Sequence, residues 1–328
     1  MNGMKEFKPL GLLRNPHLMT IAAVYWPRRF SPLPVSVPRL FEVEPGTQVL
    51  AKFHWQKNPR EHPTLIVLHG LEGSSESNYM MGTAEKAWIA GFNAVRLNQR
   101  NCGGTENLTP TLYHSGLSGD IRGVILELIQ RDRLPEIFAV GFSMGGNLVL
   151  KMAGESGESV PPELRAILAV APAFDLAACA DALDEPQNFI YERHFVRGLK
   201  KRMRFKADLF PGKFPLDGLN TVRTVREFDE AMTARFCGFK GADDYYARSS
   251  ARRVIGGIRR PTLILTAQDD PFVPFAPFKD PAIPANRNIT LVSPKHGGHC
   301  AFISQEGGEE RFWAEARIVE FCKSLSRM

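Results

Sequence analysis

The sequence predicts an α/β fold, with a mostly parallel central sheet, helices on both faces and a helical cap inserted late in the chain. Three observations point there. Short apolar runs of strand length alternate with stretches of helical periodicity. One such run leads directly into a glycine-flanked serine and then a helical pattern, in EIFAVGFSMGGNLVLKM (136–152). Residues 175–258 break the alternation and hold no clear strand. The expected division is 1–174 as the N-terminal part of the core, 175–258 as the cap insertion and 259–328 as the C-terminal part of the core.

Each element has its own signal. TLIVLHG (64–70) is a continuous apolar run closed by glycine, the pattern of a strand buried on both faces. YMMGTAEKAWIAG (79–91) is expected to be a helix stopped by Gly91. FNAVRLNQR (92–100) is the next strand, and its loop, NCGGTENLTPTLYHSG, is dense in turn residues. LSGDIRGVILELIQRD (117–132) places Ile121, Val124, Ile125, Leu128 and Ile129 at helical spacing. IFAVGF (137–142) is a strand, NLVLKMAG (147–154) a helix and AILAVAPAF (166–174) a strand. PTLILTAQDD (261–270) and NITLVS (288–293) complete the strand series, and EERFWAEARIVEFCKSLSRM is expected to form a final amphipathic helix. The strands on either side of 175–258 should be sheet neighbours.

Composition narrows the class. At 328 residues, 44% hydrophobic and 23% charged, the chain suits a soluble globular protein. No window approaches the roughly 18 uninterrupted apolar residues of a membrane span. The start, MNGMKEFKPLGLLRNPHLM, lacks the apolar core and cleavage site of a secretory signal. Five scattered cysteines without a CxxC pair argue against a disulfide framework or a zinc site and fit a reducing cytoplasm. The net charge of +6 is local, because residues 193–206, RHFVRGLKKRMRFK, carry seven Lys or Arg and no acid. The rest of the chain is close to neutral, which gives no general field for nucleic acid.

The chemistry starts at Gly141-Phe142-Ser143-Met144-Gly145, a G-x-S-x-G nucleophile elbow. A strand that turns abruptly into a helix brings backbones into contact, so a Cβ at Gly141 or Gly145 would clash. Ser143 is expected in a strained conformation, its hydroxyl exposed at a helix N-terminus where free N–H groups favour negative charge. A serine needs a general base, and the base needs a carboxylate to fix its tautomer. In this architecture the chain order is Ser, acid, His. His296 and His299, in SPKHGGHCAFI, follow the last strand, and His299 is preferred because two glycines before it allow close approach. His194 reads as a solvated side chain. Asp269 and Asp270 both follow the strand PTLILTAQ; Asp270 is preferred, although periodicity does not separate them. The oxyanion donors are expected to be the Met144 N–H and, from the loop after TLIVLHG, the Leu71 N–H. His69 reads as a residue that orders this loop through backbone hydrogen bonds.

With these residues in place, the chain resembles the α/β-hydrolase superfamily, and more narrowly its YheT-like branch (AB hydrolase 4) of candidate esterases. The resemblance is carried by LRNPHLMT (13–20), HGLEGSSESNYM (69–80), NQRNCGG (98–104), LYHSG (112–116), GFSMGGNLVLK (141–151), REFDEAMTARFCGFKGADDYYARSSA (226–251) and GGHCAFI (297–303). It implies a serine hydrolase acting on carboxylic esters beneath a helical cap, with Ser143, Asp270 and His299 as triad. Animal members act on glycerolipids and carry an N-terminal membrane anchor; no such stretch is seen here, so membrane residence is not expected. The family's usual Arg-Gly at the second loop reads Arg100-Asn101-Cys102-Gly103, which leaves that loop's role open.

The expected activity is a carboxylesterase or acylglycerol lipase that needs no cofactor or metal. Its substrate would be a small-molecule or lipid ester. A thioesterase or acyltransferase would use the same triad, and a binding protein could keep the fold without activity. Dehalogenases and epoxide hydrolases of this fold place Asp at the elbow, so Ser143 argues against them. Within 193–206, Phe195, Leu199 and Met203 recur at helical spacing with basic residues between them. The segment reads either as a cap helix with a solvated cationic face or as a weak, salt-sensitive contact with anionic membrane.

Overall fold

The computed structural model of the protein describes residues 4–31 and 33–327. Eight strands form one sheet: β1 (Val37–Glu44), β2 (Thr47–His54), β3 (Thr64–Leu68), β4 (Asn93–Leu97), β5 (Ile137–Phe142), β6 (Leu164–Val170), β7 (Thr262–Leu265) and β8 (Ile289–Val292). Their order across the sheet is β1-β2-β4-β3-β5-β6-β7-β8. β1 and β2 are antiparallel additions at one edge, and every pairing from β4 to β8 is parallel. The sequence reading had no strand for β1 or β2, although the Pro45-Gly46 turn between them was a hairpin signal; Gly46 sits at φ +71.

Each sheet face is covered because the parallel strands are apolar at consecutive positions. On β3, Leu65 and Val67 join one apolar core while Ile66 and Leu68 join the other. The first core includes Met80 and Ala84 of α2 (Asn78–Ile89) and Trp313, Ile318 and Phe321 of the C-terminal helix (Trp313–Leu325). The second includes Ile121, Val124, Ile125 and Leu128 of α3 (Ser118–Gln130) and Leu148 to Leu150 of α4 (Met144–Ser156). A fully buried side chain such as Phe138 contributes roughly 1.5–3 kcal/mol relative to its exposed state. A short helix, α1 (Pro16–Tyr25), precedes the sheet.

β6 and β7 pair directly, from Ile167 opposite Thr262 to Val170 opposite Leu265. The long connection between them holds helices joined by turns and, among the described residues, no strand: α5 (Leu176–Leu183), α6 (Phe189–Leu209), α7 (Val225–Phe228), a π-helical segment (Asp229–Ala234), α8 (Arg235–Cys237) and α9 (Ala242–Ser249). Thr224 starts α7 with a capping box, its hydroxyl accepting from Glu227 N–H while the Glu227 carboxylate takes the Thr224 N–H. The strands predicted at 92–100, 166–174 and 261–270 end sooner than predicted, at Leu97, Val170 and Leu265. Their last residues peel away from the sheet and build the loops of the site.

Candidate active site

The loops after β3, β5, β7 and β8 converge at the C-terminal edge of the parallel strands, where open α/β sheets bind ligands. At the end of β5, Ser143 adopts φ +53, ψ −118, a conformation that L-residues rarely hold. Crowding enforces it. A Cβ on Gly141 would lie 2.0 Å from the Gly145 carbonyl oxygen, and one on Gly145 would lie 2.5 Å from the His69 oxygen. Gly70 faces Ser143 itself, its would-be Cβ 3.0 Å from the serine Cβ. The helix opens at Met144, three residues earlier than its apolar spacing predicts, so the serine caps its N-terminus. There the dipole and free N–H groups favour an anion.

Asp270 and His299 meet. His299 Nδ1 lies 2.8 Å from Asp270 Oδ2, while Asp270 Oδ1 accepts from the N–H groups of Phe272 at 3.1 Å and Val273 at 2.9 Å. The carboxylate side chain is fully buried and that of His299 is 11% exposed. Burial alone disfavours the imidazolium. The charge of Asp270, the neighbouring Cys300 and their hydrogen bonds outweigh burial and hold the His299 pKa above its ordinary 6.5.

His299 Nε2 faces Cys300 Sγ at 3.7 Å, and no hydrogen bond joins it to Ser143 among the described residues. Both loops nevertheless dock on one atom: the Val170 carbonyl accepts from Ser143 N–H at 2.9 Å and from Cys300 Sγ at 3.6 Å. The Val170 carbonyl thus joins the elbow to the residue that follows His299.

Asp269 and His296 form a separate, more exposed pair at 3.1 Å, and Asp269 also accepts from the Gly298 N–H at 3.1 Å. The two neighbouring Asp-His pairs therefore differ: Asp270–His299 is buried, and Asp269–His296 is more exposed and braces the loop. The glycines before His299 act differently from the sequence expectation. A Cβ on Gly298 would strike Thr20 Oγ1 at 2.7 Å, and one on Gly297 would strike Phe302 and Ala267, so they let the loop pack on α1 and the core instead of on the elbow. Sequence reasoning missed Thr20. Its hydroxyl accepts the His299 N–H at 2.9 Å and donates to the Pro16 carbonyl at 2.7 Å. The signal was available in LRNPHLMT: Asn15 caps α1 by accepting from His17 and Leu18 N–H groups, with Pro16 at the first helical position.

On the other side of Ser143, neither the Leu71 nor the Met144 N–H donates to an acceptor among the described residues. His69 is a structural residue here. Its Nδ1 bonds the Gly70 carbonyl at 2.8 Å, its Nε2 accepts the Gln99 N–H at 3.1 Å, and burial lowers its pKa to about 4, so it stays neutral. The departure at Asn101 also has a reason. The residue sits at φ +62, where glycine is easiest and asparagine next. Its side chain donates to the Thr111 carbonyl at 2.8 Å and accepts from Lys206 Nζ at 2.9 Å.

A cavity of about 110 Å³ opens onto Ser143, Leu71 and Met144. Most of its wall is apolar, including Leu112, Leu176, Leu183 and the stripe Phe195, Leu199 and Met203 that helical spacing predicts on α6. The expected solvated cationic face of 193–206 is corrected in part. Arg193, Arg197, Lys201 and Arg204 are exposed and His194 is solvated, but Arg202 and Lys206 turn inward. Lys206 is fully buried and donates to the carbonyls of Glu106, at 2.8 Å, and Thr109. Carbonyl and carboxylate partners outside α6 draw these two cations away from water. Among the described residues no cluster of three or more His, Cys, Asp or Glu is arranged to hold a metal.

The profile of the α/β hydrolase fold family matches residues 63–306. The chain belongs to the α/β hydrolase family. YheT of Escherichia coli K12, named a candidate esterase, is 33% identical over 322 residues, covering 96% of this hydrolase and 92% of YheT. Mouse phospholipase ABHD3 is 28% identical over 242 residues, 74% of this chain and 58% of that one. The monoacylglycerol lipase of Saccharomyces cerevisiae is 30% identical over 269 residues, 80% and 59% of the two chains. Among solved structures, the Pyrococcus furiosus esterase Pf2001 aligns over 99% of both chains with a TM-score of 0.61 at 16% identity, a likeness of fold.

Proposed function

We propose that this protein is a carboxylic ester hydrolase that works through an acyl-enzyme on Ser143. His299 takes the serine proton, Asp270 fixes the imidazole tautomer, and the Leu71 and Met144 N–H groups receive the tetrahedral oxyanion. The supporting observation is a buried imidazole–carboxylate pair, at 2.8 Å, whose loop shares the Val170 carbonyl with a serine at φ +53. The missing Ser143–His299 hydrogen bond is closed by a rotation of the imidazole when substrate enters, since such bonds are often loose without ligand. Related proteins named esterase, phospholipase and monoacylglycerol lipase support an ester or lipid ester as substrate. The cavity size favours short acyl groups while α6 stays in place, because an apolar cavity of about 150 Å³ is filled by benzene. Residues 175–258 act as the cap over this cavity.

A fluorophosphonate probe should label one residue, located by peptide mass mapping at Ser143. A binding protein that kept the fold without the chemistry would not react, and an unlabelled, folded wild-type protein would end the hydrolase reading.

The outer face of α6 supports a weak contact with anionic membrane. Arg193, Arg197, Lys201 and Arg204 line it beside exposed Ile190 and Phe205, while the opposite face lines the cavity. Vesicles containing anionic lipid should bind the protein weakly near 0.01 M salt and release it near 1 M, as the screening length falls from about 30 to 3 Å. Binding that is absent at low salt, or indifferent to salt, would remove this part of the reading.

A further inference from the structure

The ion pair between Arg202 and Glu72 connects the cap helix to the loop that supplies one oxyanion donor. Glu72 directly follows Leu71 and sits at φ +56, a left-handed conformation that a glutamate does not choose by itself. Its carboxylate is held from two sides. Arg202 donates from Nε to Oε1 at 2.9 Å and from Nη2 to Oε2 at 3.4 Å. The Tyr113 hydroxyl donates to Oε1 at 2.7 Å and accepts the Glu72 N–H at 3.3 Å. Arg202 also donates to the Asn101 carbonyl and, at 3.2 Å, to Glu106, so one guanidinium ties α6 to the loops after β3 and β4. Space has been cleared for this contact. A Cβ on Gly198, one turn before Arg202 on α6, would lie 2.7 Å from Glu72 Oε2. Both partners of the pair are largely shielded, Arg202 at 16% and Glu72 at 14% side-chain exposure, so solvent screens it little.

We propose that Arg202 and Glu72 are positioning residues. Their pair keeps position 72 left-handed so that the Leu71 N–H stays ready for the oxyanion, and the oxyanion site is therefore complete only while α6 is seated on the core. Neither side chain needs to touch the reacting atoms. The inference rests on the assignment of Leu71 as a donor, and it adds a coupling between cap position and the chemical step. If α6 lifts to admit a substrate, the same movement releases Glu72. Catalysis then waits until the helix returns.

The test measures kcat and KM for a p-nitrophenyl ester in Arg202→Met, Glu72→Gln and the double variant, with thermal unfolding as a control. Loss of one donor costs about 10²–10³ in kcat, so a loosened donor should cost at least about tenfold. KM should move less than about threefold, and the double variant should be no worse than the weaker single variant. Glu72→Gly supplies the decisive readout, because glycine takes a positive φ without help. In the Arg202→Met background it should restore part of kcat, whereas Glu72→Ala should not. Equal kcat in Arg202→Met and wild type, a loss confined to KM, or equal rescue by Glu72→Gly and Glu72→Ala would overturn the proposal. If Arg202→Met does not fold, Glu72→Gln and Glu72→Gly against Glu72→Ala in the native Arg202 background carry the same comparison. Failure of the triad reading is seen separately, as turnover in Ser143→Ala.

Discussion

Ser143→Ala should lower kcat for p-nitrophenyl ester hydrolysis by about 10⁶-fold, the scale on which removing a serine nucleophile disables a triad enzyme. The fold should remain. The Ser143 side chain makes no hydrogen bond among the described residues, and alanine keeps the Cβ that already fits the elbow. A change in Tm of no more than about 2 °C is expected. The sharpest rival is the thiol of Cys300, since it and not Ser143 now faces His299 Nε2, at 3.7 Å. Two features favour the serine. It sits at the N-terminus of α4 and lines one cavity with Leu71 and Met144, whose N–H groups have no acceptor among the described residues, and the crowded glycines around it hold its backbone at φ +53. Cys300→Ala should therefore retain most activity in the assay that Ser143→Ala fails. The reverse result, with Ser143→Ala within about tenfold of wild type, would move the nucleophile to Cys300.

Much of the scaffold was legible because it depends on local pattern. The buried parallel strands are runs of apolar residues, and the elbow is written in five adjacent positions whose glycines have a steric reason, so β3, β5, β6 and Ser143 could be read without coordinates. The β1–β2 hairpin was missed although its turn was a signal: β1 is a half-exposed edge strand whose residues do not form a continuous apolar run, and β2 joins it to β4. The supporting contacts were hidden for another reason. Thr20 and His299 are 279 positions apart, and Arg202 and Glu72 are 130 apart. No periodicity links such pairs. The seven basic residues of 193–206 looked alike in the sequence, yet carbonyl and carboxylate acceptors on the loop after β4 bury Lys206 and shield Arg202 while leaving four others in water. The preference for Asp270 over Asp269 has no support from periodicity; the two lie in the loop after β7, and the tertiary fold pairs Asp269 with His296 and Asp270 with His299.

That choice leads to the second large effect. Asp270→Asn should lower kcat by about 10⁴-fold, with little loss of the loop's shape. The asparagine oxygen can still accept from the Phe272 and Val273 N–H groups, which fixes its amide nitrogen toward His299 Nδ1. Nδ1 must then accept a hydrogen bond, so the ring proton moves to Nε2 and the base can no longer take the proton of Ser143. The pH dependence supplies an independent check. Activity requires neutral His299, so kcat/KM rises with pH through the pKa of that residue in the free enzyme. Burial pulls this pKa down, but the Asp270 carboxylate and the other partners lift it above 6.5, which places the acid limb of the wild type on the alkaline side of 6.5. Removing the carboxylate leaves burial as the dominant influence, so the limb of the variant's residual activity should move to lower pH. Asp269→Asn provides the contrast. Its partners are His296 and the Gly298 N–H, and among the described residues it makes no hydrogen bond to His299, so it should cost less than about tenfold with the limb unmoved. Equal losses in the two variants, or a limb that stays fixed when Asp270 is replaced, would mean that Asp270 does not set the state of His299.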